Sequence, residues 1–311
     1  MIGAGVGAAL PFGGGVYPVV STPFDADDEL DAESLAGEVG WLVGCGVDGV
    51  VLAMVSELLR LDESERRRAA RVLCQAAAGR VAVVVGVGAE TTRAAVGFAI
   101  DAQLAGASAV MAAPPVSVAV PDPELLAHYR AVIESVEVPV VVQDASGYVG
   151  RPLPISLYRD LLDEFGPHRV QFKPEASPIG PRLSALHEAT GGQARVFEGT
   201  GGLALVDSHR RGIVGSMPGP EVAWAVVELW HALESGDAVR ADGLHWPLCA
   251  LLSLQTSLDS FVAVEKHLLV RQGVLPSARR RRPHGPELDP QTVAEVDRLF
   301  ELVVDRSGHQ R

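Results

Sequence analysis

The sequence has almost no lysine. Only Lys173 and Lys266 are lysines, against 24 arginines. Arginine is always charged and cannot serve as an amine nucleophile, whereas a desolvated lysine can lose its proton and attack a carbonyl. A lysine retained against such a bias is a candidate for work that arginine cannot do. Cysteine is also scarce: Cys45, Cys74 and Cys249 are odd in number, scattered and without metal-ligand spacing. They give no disulfide framework and suggest free thiols in a reducing compartment. Positive charge is lacking overall. A formal net charge of −13 argues against a nucleic-acid partner. No apolar run approaches the ~18 residues that span a bilayer. Met1 to Gly15 carries no Lys or Arg ahead of its apolar stretch, so it makes a poor signal peptide. The expectation is a cytoplasmic protein with neither a nucleic-acid nor a membrane partner.

What is present is ample apolar material. The 311 residues are 48% hydrophobic, enough for one barrel or two ordinary domains. Val-rich runs begin at Gly15, Val47, Arg80, Ala107, Val138, Arg169, Arg195 and Gly212, and a helical pattern follows each. Continuous apolar strands of this kind are covered on both faces. Asp62 with Glu65 three residues later has capping-box spacing. Eight strand–helix cycles predict an α/β fold, a (β/α)8 TIM barrel over residues 15–236, rather than a doubly wound sheet. Residues 1–14 read as a flexible N-terminal segment and residues 237–311 as a C-terminal helical region.

In such a barrel the active site lies at the C-terminal ends of the strands. Lys173 falls at the end of strand six, in the run Arg169-Val170-Gln171-Phe172-Lys173-Pro174-Glu175. Strand alternation turns Gln171 and Lys173 inward and Val170 and Phe172 toward the helices. A buried amine there suits Schiff-base chemistry, and the alternative is a structural ion pair with Glu175.

The chain resembles the dihydrodipicolinate synthase/N-acetylneuraminate lyase family of class I aldolases and dehydratases from about Gly15 onward. The likeness rests on Tyr17-Pro18-Val19-Val20-Ser21-Thr22-Pro23-Phe24, Gly46-Val47-Asp48-Gly49, Glu57 with Leu61 to Arg66, Ala113-Pro114-Pro115, Phe172 to Ser177 and Gly212 to Ser216. It implies a homotetramer or homodimer and a 2-oxo acid, usually pyruvate, bound as an imine to Lys173 with no cofactor. It also implies substrate-binding positions at Val55, Ser56, Glu57, Tyr148, Glu175, Gly199 and Val214. The departures are equally specific. The family's Gly-Thr-Thr-Gly-Glu turn after strand two is Ala53-Met54-Val55-Ser56-Glu57 here. The proton-shuttling tyrosine at the end of strand five is Gln143, followed by Asp144. The second shuttle tyrosine, after Pro-Pro, gives way to Val116-Ser117-Val118. Tyr148 stands where an arginine often binds the second substrate's carboxylate.

Glutamine has no usable pKa, so an imine mechanism needs another proton carrier. Asp144, Glu57, Tyr148 and Glu175 are the candidates, each with a structural alternative as a turn acid, a loop cap, an interface cover or an ion pair. Lys173, Asp144 and Gln143 are assigned to the catalytic end of the site. Gly199-Thr200-Gly201-Gly202 could hold a phosphate at a helix start, though packing is the plainer reading. Arg279 to Arg282 reads as a solvated loop. His128, His187, His209, His231 and His245 lack metal spacing, and no metal is assigned. Three functions follow: a Schiff-base lyase, a non-catalytic or regulatory barrel lacking the tyrosine relay, and a phosphate-binding barrel.

Overall fold

The computed structural model describes residues 10–308. Eight of the apolar runs form parallel strands: β1 (Gly15–Val16), β2 (Gly49–Leu52), β3 (Ala82–Gly86), β4 (Ala109–Ala112), β5 (Val140–Asp144), β6 (Val170–Pro174), β7 (Phe197–Glu198) and β8 (Gly215–Ser216). Strands β2 to β6 make one arc, and β1, β8 and β7 make the other. Single parallel bridges, Val19 to Val51 and Phe172 to Val196, join the arcs and close the ring. Eight helices alternate with the strands: α1 (Ala32–Gly44), α2 (Glu63–Ala77), α3 (Thr92–Ala105), α4 (Asp122–Glu134), α5 (Ile155–Phe165), α6 (Ile179–Ala189), α7 (Leu205–Arg210) and α8 (Ala223–Ser235). The fold is a (β/α)8 barrel. Three more helices follow, α9 (Ala238–Leu252), α10 (Leu258–Arg271) and α11 (Pro290–Ser307).

Local chemistry sets the boundaries. Asp62 and Glu65 form the capping box that their spacing predicts at the start of α2. The seventh helix starts later than the sequence pattern suggests, at Leu205. Gly201 and Gly202 take positive φ of 72° and 109° and keep the chain in a turn.

Strand alternation sorts the core into two layers. Val50, Leu52, Val83, Val110, Val140, Val142, Val170 and Phe172 face the helices. Val51, Val84, Ala109, Met111, Val141 and Phe197 fill the barrel interior. Of the segment read as flexible, 1–14, residues 1–9 lie outside the described residues. Phe12 packs as a plug beneath the interior, its ring stacked 5.1 Å from Phe197 and edge-on 5.2 Å from Tyr17. Among the described residues no helix is long and apolar enough to cross a membrane.

The arginine run is only half solvated: Arg279 and Arg282 are exposed, but Arg280 and Arg281 turn inward. Arg280 is buried and bonds the Pro286 carbonyl and Glu287. Arg281 reaches Glu65 at 2.7 Å and lies 4.4 Å above the Phe24 ring. Its amide donates to Glu57, and the Arg279 carbonyl accepts from Lys266. Backbone groups thus pin this run as a strap between α10 and α11. Charge clustering alone did not reveal those partners.

Candidate active site

Strand six delivers Lys173 to the interior as the alternation requires. Phe172 turns outward, its ring edge-on to Tyr158 at 5.1 Å, and Lys173 turns inward with its side chain 6% exposed. Parallel pairing sets Gln143 of β5 directly beside Lys173. Glu175 lies two residues on, so its side chain returns to the same face. Its Oε1 accepts a short hydrogen bond from Lys173 Nζ, and its Oε2 accepts from Gln143 Nε2 at 3.1 Å. Burial pushes the Glu175 carboxyl above its ordinary value, while the Lys173 ammonium pulls it back down. Lys173, Glu175 and Gln143 therefore form one buried, hydrogen-bonded unit at the barrel mouth.

Gly199 makes room for it. A β-carbon there would lie 2.8 Å from Glu175 Cγ and 3.2 Å from Lys173 Cε. The glycine at this position is a requirement of close approach. Tyr148, on the loop after β5, packs against the interior layer. Burial and the carboxylates of Glu175, Glu198, Glu265 and Glu221 hold its hydroxyl well above the usual phenol range.

The turn after β2 is a single 3-10 turn, Met54–Ser56. Ser56 Oγ is spent on the Ala53 amide at 3.1 Å, and the Ser56 carbonyl accepts from Thr22 Oγ1 at 2.5 Å. The first amides of a helical turn have no partner within it, so Met54 and Val55 present donors that a carboxylate can use. Val55 belongs to the interior layer, and Val214, just ahead of β8, packs against that layer while its carbonyl accepts from the Gly15 amide at 2.9 Å.

Two sequence assignments give way here. Asp144 is wholly buried but turns out of the barrel. Its carboxylate accepts from the Ser146 and Leu153 amides at 3.0 and 2.9 Å and from the Tyr158 hydroxyl at 3.3 Å. Alternation at the strand end sends it opposite to Gln143, so it braces the β5–α5 loop and does not reach Lys173. Glu57 likewise faces away. It sits at a left-handed φ of 55° and pairs with Lys266 at 2.6 Å and with the Arg281 amide at 2.9 Å.

The glycine-rich turn does not offer an empty anion cradle. Glu198 Oε1 accepts from the Thr200 amide at 2.5 Å and Oε2 from the Gly202 amide at 3.1 Å and from Ser216 Oγ at 3.0 Å. The nearby hydroxyls are also committed, Thr200 to Glu198 and Ser117 to Glu90. Sequence reasoning missed Glu198 as the turn's occupant. The signal was there, a buried strand-end carboxylate followed directly by Gly-Thr-Gly-Gly.

The comparisons agree with this geometry. The profile of the dihydrodipicolinate synthetase family matches residues 13–300. An L-2-keto-3-deoxyarabonate dehydratase of Azospirillum brasilense is 28% identical over 308 residues, covering 95% of this chain and 97% of its own. The crystal structure of dihydrodipicolinate synthase from Rhodopseudomonas palustris superposes with a TM-score of 0.84 at 26% identity, covering 95% of this chain and 99% of that one. YagE of Escherichia coli K12, in complex with pyruvate, gives 0.83 at 26% identity over 93% of this chain and 98% of that one. A barrel with an inward lysine at the end of its sixth strand and a family match over nearly its full length leave one conclusion: the chain belongs to the dihydrodipicolinate synthetase family.

Proposed function

We propose that this protein is a Schiff-base-forming lyase of the class I aldolase/dehydratase type, acting on pyruvate or a related 2-oxo acid through Lys173. The observation that carries the reading is the buried Lys173 amine at the C-terminal end of β6, in contact with a carboxylate that can take its proton. Attack of Nζ on the 2-oxo carbon and loss of water give a protonated imine. That imine accepts electrons from the neighbouring carbon–carbon or carbon–oxygen bond as it breaks. The amides of Met54 and Val55 would receive the substrate carboxylate.

The second half of the substrate faces unusual surroundings. Gln143 opens into a cleft lined by Ala53, Met54, Met111, Pro114 and Val116. The charged groups acting on Glu175 are Lys173 and Asp144, and those acting on Tyr148 are all carboxylates. This environment favours a neutral aldehyde or hydroxylated fragment over one bearing a second carboxylate. We further propose that the protein is cytoplasmic and assembles as a homotetramer or homodimer; light scattering of the purified chain checks the assembly.

Borohydride reduction in the presence of pyruvate should attach a reduced pyruvate to the peptide containing Lys173, and Lys173→Arg should abolish the adduct. Absence of any adduct with a panel of 2-oxo acids would defeat the reading.

A further inference from the structure

With Gln143 at the end of β5, the imine chemistry proposed above lacks a proton carrier at the expected place. We propose that Glu175 is that carrier: a catalytic acid and base built into the lysine's own strand, held in position by Gln143. The inference rests on the Schiff-base reading and concerns how its protons move.

Three observations support it. Glu175 is the carboxylate in direct contact with the reacting nitrogen. Its other oxygen is anchored by the Gln143 amide at 3.1 Å, so the group is aimed and not free to swing. Gly199 leaves the space both side chains occupy, and any larger residue would collide with Glu175 itself. Asp144, the rival carboxylate, is engaged by Ser146, Leu153 and Tyr158 on the other side of the strand. Gln143 is hydrogen-bonded to Glu175, and the titratable groups that act on it are Lys173 at the end of β6, Tyr148 on the loop after β5 and, from the opposite side of β5, Asp144. Burial favours a protonated carboxyl and Lys173 an ionised one, which is the balance a proton donor and acceptor needs.

The steps balance. Lys173 gives a proton to Glu175 and becomes a neutral amine. Its lone pair forms the Nζ–C2 bond as the carbonyl π pair moves to oxygen, and Glu175 returns the proton to that oxygen. The carboxylate then takes a proton from the new ammonium and delivers it to the hydroxyl, which leaves as water. The product is a protonated imine beside an ionised Glu175. That carboxylate removes a C3 proton to give the enamine.

The test needs no second substrate. Wild-type protein in deuterated water should exchange the methyl protons of pyruvate, read by NMR, and form a borohydride adduct. Glu175→Gln should lower the exchange rate by ~10²–10⁴-fold and remove the inflection of its pH profile. Glu175→Asp should recover part of both. Gln143→Met, which frees the carboxylate without deleting it, should shift the inflection and cost less. Exchange by Glu175→Gln at the wild-type rate, or an unaltered pH profile in Gln143→Met, overturns the inference while leaving the lysine chemistry intact. Failure of the wild type to form any adduct overturns both.

Discussion

Lys173 and Lys266 are both buried, but their amines are held differently. Lys266 Nζ donates to the Thr22 carbonyl at 2.7 Å, to Glu57 at 2.6 Å and to the Arg279 carbonyl at 2.5 Å, and it lies 4.7 Å from the Phe24 ring centre. All three of its hydrogens are spent. Burial lowers its pKa and Glu57 opposes the shift. Among the described residues Lys173 Nζ has one hydrogen-bond partner, Glu175, which leaves two of its hydrogens uncommitted at the C-terminal end of β6. The bias against lysine thus preserved two residues for different reasons. One fills a compact slot of three acceptors, and the other is the amine proposed above to give up its proton. Saturation, rather than burial, separates a structural ammonium from a nucleophile.

That contrast can be broken most forcibly at Lys266. Lys266→Met leaves Glu57 buried with its main counter-charge gone, which costs ~3–5 kcal/mol and should appear as a large fall in the urea midpoint. Lys173→Met should cost distinctly less, because burial already raises the Glu175 pKa and the carboxyl can take up a proton once its partner is gone, yet it should eliminate imine trapping. Equal destabilisation by the two substitutions would remove the distinction.

Gly199→Ala sharpens the comparison from the other side. The added β-carbon pushes on Glu175 and Lys173 but touches nothing around Lys266. Overpacking of this kind costs ~1–3 kcal/mol, and the expected result is loss of pyruvate exchange out of proportion to the change in melting temperature.

The smallest effect concerns pH. Behind Lys266 lie three buried carboxyls. Burial pushes Glu38 up to about 8 and Glu221 up to about 7, and lifts Glu265 well above its ordinary range. Glu38 Oε2 and Glu221 Oε2 have no hydrogen-bond partner among the described residues. Raised folded-state values mean that the native chain keeps protons the unfolded chain has already released. Stability therefore falls as pH rises from the ordinary carboxyl value of 4.5 toward about 8. Glu38→Gln, which mimics the protonated form, should flatten that decline in melting temperature across roughly pH 5 to 8. A slope unchanged by the substitution would place the pH sensitivity elsewhere.

Much of this architecture was legible in the sequence because it repeats a local pattern. Each Val-rich run followed by an amphipathic helix could be read without its neighbours, and the rarity of lysine marked Lys173. The site's finer wiring was legible only where strand alternation sufficed, as for Gln143 and Lys173. Asp144 was misassigned because one residue of register at a strand end reverses the direction of a carboxylate. Glu57 and Lys266 were missed as a pair because 209 residues separate them and the slot is completed by carbonyls, which no side-chain pattern encodes. The arginine run was misread for the same reason.

Glu198 has a wider consequence. By folding its own carboxylate into the β7–α7 turn, the protein permanently corks the rim that many barrels leave open to phosphoryl groups. Sugar phosphates and nucleotides, plentiful in any cell, find no berth there. The turn is thereby self-contained, its amides taken up by the chain's own carboxylate and not left for a free anion.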